Sequence, residues 1–179
     1  MGADGTGDGV AAALSRPAAR RNFWGWGLEG EGLAGSEVEQ LGAVFADRLG
    51  LADVRVQEPP RVEELDLRAP RVAPPASLEA LFSAGPYDRA AHTYGRSFRD
   101  LVRAFRRDYA HAPDLVAFPR NEGELVSVLD WCGDAGVAAI PFGGGSSVVG
   151  GVEPDVGDGY RGAVSVAARA TAPRRRGAR

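Results

Sequence analysis

The residues best suited to chemistry lie in the segment IPFGGGSSVVGG, Ile140 to Gly151, where glycines and two serines follow an apolar run. Glycine has no Cβ, so the chain can turn sharply there, or another molecule can reach the peptide groups. The N–H groups of Gly143 to Ser147, turned inward with the two hydroxyls, would form a nest that cradles an anion such as a diphosphate. In that nest we expect a positive φ at Gly144. A glycine-rich turn without a ligand is the alternative.

Two common phosphate-binding motifs do not fit this loop. The chain has no lysine, whereas a Walker loop needs one to contact the terminal phosphate. A Rossmann fingerprint opens a helix, but Gly150, Gly151 and Pro154 oppose a helix here. A nest of backbone amides is the interpretation that remains.

A strand, a helix and a second strand precede the loop. The apolar run DLVAF predicts a buried strand, Leu115 to Phe118, and VAAIP predicts another, Val137 to Pro141. Between them we expect a helix from about Asn121 to Ala135, capped by the Asn121 side chain and ended by Gly136. Such a βαβ unit predicts two adjacent parallel strands, with the glycine loop at their carboxyl end, where open α/β sheets bind ligands.

Helical periodicity predicts three further helices upstream. The first begins at a capping box of Ser36 and Glu39, ends at Gly50, and carries an apolar stripe of Val38, Leu41, Phe45 and Leu49. The second is short and runs from Ser77 to Phe82, and the third begins at about Ser97. The apolar stripe of the third helix is Phe98, Leu101, Val102, Phe105 and Tyr109. Its arginines, Arg103 among them, are expected on a solvated face.

Composition bounds the classes of function. The chain has 179 residues, 44% hydrophobic and 25% charged, which is typical of a soluble globular protein. No apolar run approaches the roughly 18 residues that span a bilayer, and no signal peptide is recognisable, so we expect a cytoplasmic protein without a transmembrane segment. The arginines after Gly159 lack interleaved aromatic residues, which argues against a nucleic-acid partner.

Few side chains qualify as ligands or acid–base groups. Cys132, His92 and His111 are far apart in the sequence and predict no metal site. His92 and Arg96, just before a predicted helix, could orient a phosphate, but a cap or an internal hydrogen bond is the favoured interpretation.

Longer segments resemble known flavoproteins. The stretch PDLVAFPRNEGELVSVLDWCGDAGVAAIPFGGGSSVVGG is similar to the start of the FAD-binding domain of the vanillyl-alcohol oxidase and p-cresol methylhydroxylase (PCMH) type. Upstream, NFWGWG and AHTYGRSFRDLVRAFRRDYAHAPD resemble one branch, the alkyldihydroxyacetonephosphate synthases and their bacterial FAD-linked oxidase relatives. The resemblance covers about Asn22 to Val166.

The resemblance implies an FAD cofactor whose pyrophosphate lies along the glycine loop. The cofactor contacts that it carries over are Pro141, Phe142, Gly143, Gly144, Gly145, Ser146 and Ser147. It also implies a flavin-dependent enzyme, either an oxidase or an alkyl transferase of ether lipid synthesis, acting on a small molecule or lipid precursor. Catalytic residues are not identified, and homodimer formation stays open.

The implied fold is α/β (α+β), a helical N-terminal segment followed by the first βαβ unit of a PCMH-type FAD-binding domain, truncated. We expect a disordered extension over residues 1–21, a helical region over 22–110, a partial FAD-binding domain over 111–166 and an aberrant or disordered basic tail over 167–179. Because that tail replaces the expected continuation of the domain, we expect a truncated or frameshifted product that is inactive alone. The alternative is a non-enzymatic nucleotide- or partner-binding module.

Overall fold

The computed structural model describes residues 20–52 and 54–167, which divide into two compact units. One unit comprises residues 20–22 and 26–56, and the other comprises residues 23–25 and 57–167. The basic tail from residue 168 onward and most of the expected N-terminal extension lie outside the described residues. The expected boundary at residue 110 stays a prediction.

The first unit contains helix α1, Gly35–Leu49. Its N-cap is Ala34, whose N–H donates to Glu37 Oε2 at 2.7 Å. The predicted capping box of Ser36 and Glu39 is therefore wrong. The helix begins one residue before Ser36, and the acidic residue three positions after the true cap is Glu37, which takes the role expected of Glu39.

The predicted end of α1 is confirmed, but its apolar stripe is not buried. Gly50 ends the helix with φ 63°, a left-handed conformation that glycine adopts without strain, as predicted. No residue of α1 is buried in the described chain. Its exposed large apolar side chains are Leu41, Val44, Phe45 and Leu49. Among the described residues, the apolar stripe of α1 is therefore not part of a buried core.

The second unit is built on a four-stranded sheet in the order β1-β2-β4-β3. The strands are β1 Phe82–Ser83, β2 Leu115–Ala117, β3 Val137–Phe142 and β4 Gly162–Ala167. Strand β4 is parallel to both β2 and β3, and β1 is antiparallel to β2 at one edge. The two strands of the predicted βαβ unit, β2 and β3, are thus parallel but not adjacent, and the predicted adjacency is wrong.

Strand β4 lies between them, and every one of its residues is buried as a result. A parallel strand covered on both faces needs small or apolar residues throughout, and GAVSVA meets that need. Val164 pairs with Leu115 on one side and with Ala139 on the other. The order of elements along the chain does not exclude a later strand that inserts between two earlier ones.

Helix α4, Glu122–Ala135, connects β2 to β3 and confirms the predicted helix. Asn121 Oδ1 accepts the N–H of Glu124 at 2.9 Å, which is the predicted cap. Cys132 is buried against the sheet, and burial raises the pKa of its thiol to about 11, so it stays protonated as a core residue. No helix among the described residues is long and apolar enough to cross a membrane.

The elements before β2 differ in part from the prediction. The helix expected over Ser77 to Phe82 is a single 3₁₀ turn, Glu79–Leu81, after which Phe82 enters β1 and pairs with Ala117. Pairing with the sheet outweighs helical periodicity at this point. Helix α2, Pro86–Ala91, was not predicted, since six residues are too few to show a helical period.

Helix α3, Phe98–Phe105, begins at Ser97 as predicted. The Ser97 hydroxyl accepts the N–H of Asp100 at 3.2 Å. The helix ends at Phe105, so Tyr109 does not continue its stripe. Tyr109 lies in the following loop and packs against the Tyr94 ring, with 5.6 Å between centroids, in a second buried cluster.

The buried carboxylate of Asp114 joins three segments of the second unit. It accepts the backbone N–H of Arg71 at 2.8 Å and that of Ala163 at 2.7 Å, and the Arg71 guanidinium lies 2.8 Å away. Burial by itself would raise the pKa of this carboxyl, but the hydrogen bonds from Arg71 and Ala163 outweigh burial and hold the pKa below its usual value. The proline-rich segment over residues 57–75, which we call the connector, therefore meets β2 and β4 at one charged group.

We expect Asp114→Asn to lower the free energy of unfolding at pH 7 by about 3 to 5 kcal/mol, because it leaves the Arg71 guanidinium without its ionic partner. Since the folded pKa lies below the unfolded one, the stabilisation is complete above about pH 4 and is lost as the pH falls through the folded pKa. Urea unfolding of both proteins at pH 7 and near pH 3 should therefore show a smaller difference at the lower pH. Asp130→Asn, at an exposed position of α4, is the control, and an equal loss in that variant would refute the assignment.

Candidate functional site

The glycine loop begins where β3 ends and lies at the carboxyl edge of the three parallel strands, as predicted. It is not helical. Gly143 and Gly144 are exposed, and a Cβ on either would meet nothing within 4 Å. Gly145 is buried with φ 73°. The positive φ predicted for Gly144 is therefore wrong by one residue, because the chain reverses at Gly145, where it crosses the ring of Phe142.

The Phe142 ring lies directly beneath the loop. A Cβ on Gly145 would come within 2.9 Å of Phe142 Cζ, so only glycine fits over the ring. The ring is itself packed on His92, with 4.4 Å between centroids. His92 Nδ1 lies 2.7 Å from the carbonyl oxygen of Asp88, so this nitrogen carries the proton of that hydrogen bond. His92 supports the loop through Phe142, in agreement with the internal hydrogen bond favoured from the sequence.

The far end of the loop rests on the segment before α3. The N–H of Arg96 donates to the carbonyl oxygen of Ser147 at 2.7 Å. A Cβ on Gly95 would lie 2.8 Å from the Ser147 carbonyl carbon, and closer still to its oxygen. Gly95 is thus a second position at which a side chain cannot be placed. Sequence reasoning missed it, since a single glycine before a helix is ordinarily a turn residue.

The loop contains hydrogen-bond donors that have no partner in the described part of the chain. Within the described part of the chain, the N–H groups of Gly145, Ser146 and Ser147 and the two serine hydroxyls make no hydrogen bond. Successive unpartnered amides beside a glycine in the left-handed conformation are the components of an anion nest. The loop therefore contains the backbone donors that an anion nest requires, without a lysine.

An ion-pair cluster lies just beyond the loop, around Glu153. Its Oε1 is 2.6 Å from Arg103 Nη1 and 3.0 Å from His111 Nδ1. The Arg103 side chain is only 14% exposed, and its guanidinium lies 4.0 Å from the centroid of the Tyr94 ring. The prediction that Arg103 lies on a solvated face is wrong, because α3 turns this arginine toward Tyr94 and the segment after the loop.

The same cluster corrects an assumption behind the prediction of no metal site. Ligand atoms of His111, Glu153 and Asp155 lie within 4.8 Å of one another, although His111 is far from both acids in the sequence. The Arg103 guanidinium already donates to Glu153 Oε1, and its positive charge opposes a second cation at that oxygen. We interpret the group as hydrogen-bonded side chains around the Arg103–Glu153 ion pair, and the absence of a metal site stays a prediction.

The seven residues predicted to contact a cofactor differ in accessibility. Pro141, Gly143, Gly144 and Ser146 are exposed, whereas Phe142 and Gly145 are buried and Ser147 is half-buried. The outer residues of the loop are therefore open to solvent, and the buried Phe142 ring supports the loop.

The second unit is a mixed α/β fold, a mainly parallel sheet with a glycine loop at its carboxyl edge. No family model matches the chain. Its sequence is similar to the alkyldihydroxyacetonephosphate synthase of Trypanosoma brucei brucei, with 36% identity over 80 residues, which is 45% of this chain and 13% of the relative. The alkyldihydroxyacetonephosphate synthase of Dictyostelium discoideum is 39% identical over 66 residues, 37% of this chain and 11% of the relative.

Solved structures give the same result. Two crystal structures of alkyldihydroxyacetonephosphate synthase, in the P1 and P212121 forms, match with TM-scores of 0.65 and 0.64 and identities of 25% and 24%. Each match covers 82% of this chain and 32% of the solved chain. These similarities confirm the predicted resemblance to the alkyldihydroxyacetonephosphate synthases and the α/β fold class. The chain spans about a third of the solved chains.

We expect Gly95→Ala to lower the free energy of unfolding by about 1 to 3 kcal/mol, because the new methyl group collides with the Ser147 backbone, which cannot move away like a flexible side chain. Gly143→Ala is the matched control, since its methyl group meets nothing within 4 Å, and its effect should stay within about 0.5 kcal/mol. Urea unfolding without ligand measures both. Equal stabilities of the two variants would contradict the contact between the two segments.

Proposed function

We propose that the glycine loop binds the pyrophosphate of FAD, and that this chain is the N-terminal part of an FAD-binding oxidoreductase resembling alkyldihydroxyacetonephosphate synthase and related FAD-linked oxidases. The observation that carries the proposal is the row of unpartnered amides from Gly145 to Ser147, beside two glycines with open space around them. Hydrogen bonds to ionised oxygens are roughly twice as strong as those between neutral groups. Similarity to the named relatives supports FAD as the diphosphate.

The absence of side chains at two glycines of the loop leaves space for a pyrophosphate. A side chain at Gly143 or Gly144 would extend into the open space through which a phosphate approaches. Pro141 and the hydroxyls of Ser146 and Ser147 would border the group, and the buried Phe142 would keep the amides in place. A bound FAD would supply flavin chemistry, whereas the residues of this loop would bind and orient its diphosphate.

The complete enzyme is expected to be much larger than the matched region, since the matched residues amount to 13% of the first relative. We therefore propose that the flavin ring site and the catalytic residues lie outside the matched segment, and that the chain alone has no oxidase or transferase activity. The substrate of the complete enzyme would be a small molecule or a lipid precursor, with ether lipid synthesis as the process and the cytoplasm as the location.

A second candidate function is a non-enzymatic nucleotide-binding module, which the same backbone amide donors also support. Backbone amides recognise a diphosphate whatever is attached to it. The two candidates differ in affinity. A dinucleotide held only at its diphosphate still loses translational and rotational freedom, at a cost of about 4 to 15 kcal/mol, so a partial FAD site binds weakly. A complete module would instead purify with stoichiometric nucleotide.

We expect FAD and ADP, at about millimolar concentration, to shift the backbone amide resonances of Gly143 to Ser147 in NMR spectra of the 179-residue chain. Riboflavin, which has no diphosphate, should leave these resonances in place. The chain should also purify without flavin absorbance. Shifts caused by riboflavin, or none with FAD, would rule out pyrophosphate binding by the loop, and a yellow preparation would favour the complete module.

We expect Gly144→Val to abolish these shifts while the free energy of unfolding stays nearly unchanged, since a Cβ at Gly144 meets no protein atom within 4 Å. The loss of about two charge-assisted hydrogen bonds, each worth about 1.5 to 3 kcal/mol, should weaken ADP binding at least about 100-fold. Gly159→Val is the control, because Gly159 is exposed and has equal space outside the loop. ADP binding retained in Gly144→Val would show that the nest is not the site.

A further inference from the structure

The segment that follows the glycine loop has little packing of its own. Val148 and Val149 are 61% and 88% exposed, and the two glycines after them are exposed as well. The next firmly held side chain is Glu153, which is six residues beyond Ser147 and has a side chain only 16% exposed. The path of residues 148–152 therefore depends on what holds the residues on either side, Ser147 and Glu153.

Arg103 holds the second of these residues, Glu153. Its Nη1 donates to Glu153 Oε1 at 2.6 Å across 50 residues of sequence. Its own position is restricted on two other sides, by an ion pair of 3.1 Å with Asp108 and by the Tyr94 ring. A guanidinium fixed in this way offers a rigid anchor rather than a mobile surface charge.

The first, Ser147, is held by the same part of the chain. The Arg96 amide binds the Ser147 carbonyl, and Tyr94, which the Arg103 guanidinium covers, immediately precedes the closely packed Gly95. His92 adds the contact beneath Phe142. Residues 92–111 thus contact Phe142 beneath the loop, Ser147 at its far end and Glu153 beyond it. Backbone donors cannot be redirected one at a time, so an anion nest binds only while its whole loop keeps one shape.

We propose that Arg103 and Glu153 are positioning residues, which keep the glycine loop in the shape that binds a diphosphate without touching the ligand. The ligand part of this proposal rests on the proposed function, but the ordering of the loop does not. Removal of the ion pair should free residues 148–153 and so reduce the fraction of molecules in which the nest is formed.

The test uses the full chain with Arg103→Gln, Glu153→Gln and the double variant. NMR order parameters of residues 148–153 should fall from about 0.85 to below about 0.6 in each variant, while those of β4 stay high. The dissociation constant for ADP should rise about tenfold, equivalent to about 1.4 kcal/mol. The losses in the double variant should be less than additive, because the two substitutions share the Arg103–Glu153 contact. Arg103→Lys, which keeps the charge, should recover part of the binding.

Arg107→Gln is the matched control. It breaks the Arg107–Glu64 ion pair, which is also short at 2.7 Å but is 40% exposed on both sides and lies away from the loop. Unchanged order parameters in Glu153→Gln, or a loss that spreads equally through β4, would overturn the proposal. If Arg103→Gln does not fold, Glu153→Gln decides. If the unmodified chain does not bind ADP, the proposed function fails, while the order parameters still decide the role of the ion pair.

Discussion

The buried carboxylate of Asp114 is the interaction on which the second unit depends. A carboxylate that is buried away from water needs hydrogen-bond donors for its oxygens. Asp114 receives them from Arg71 in the connector and from the Ala163 amide in β4. The packing around this carboxylate is tight, since a Cβ on Gly162 would come within 2.8 Å of Asp114 Oδ2. The start of β4 is therefore held beside β2, which places β4 between β2 and β3.

That placement determines where the glycine loop lies. Because β4 pairs with the whole of β3, up to Phe142 with Ala167, the sheet keeps its register to the residue before the first loop glycine. The chain must then leave the sheet edge at once, and it does so over the buried Phe142 ring. The left-handed conformation of Gly145 follows from this crossing and is not a general property of a glycine run.

Recognition by backbone amides, as proposed for the glycine loop, would make the site depend on residues that do not reach the ligand. A lysine or arginine can adjust its side chain to an anion, but the direction of a peptide N–H is set by the path of the chain. In the proposed site, the contacts of His92, Gly95 and Arg103 would therefore contribute to binding by holding the loop. Each acts on a different part of the loop, through Phe142, Ser147 and Glu153 respectively.

The sequence by itself determined the features that depend on a few neighbouring residues. The Asn121 cap of α4, the Ser97 cap of α3 and the buried strand β2 were predictable, because capping and local hydrophobicity act within about four residues. The cap of α1 was misplaced, since Ser36 and Glu39 match the same spacing as the pair that forms, Ala34 and Glu37. The resemblance and the α/β class were also readable from the sequence. Only the tertiary structure decided the central position of β4, the anchoring of Arg103 and the close approach of Gly95 to Ser147. These features depend on contacts between residues about 50 positions apart, such as Arg103 with Glu153 and Asp114 with Ala163. Hydrophobic periodicity and motif spacing describe only neighbouring residues, so they carry no information on such contacts.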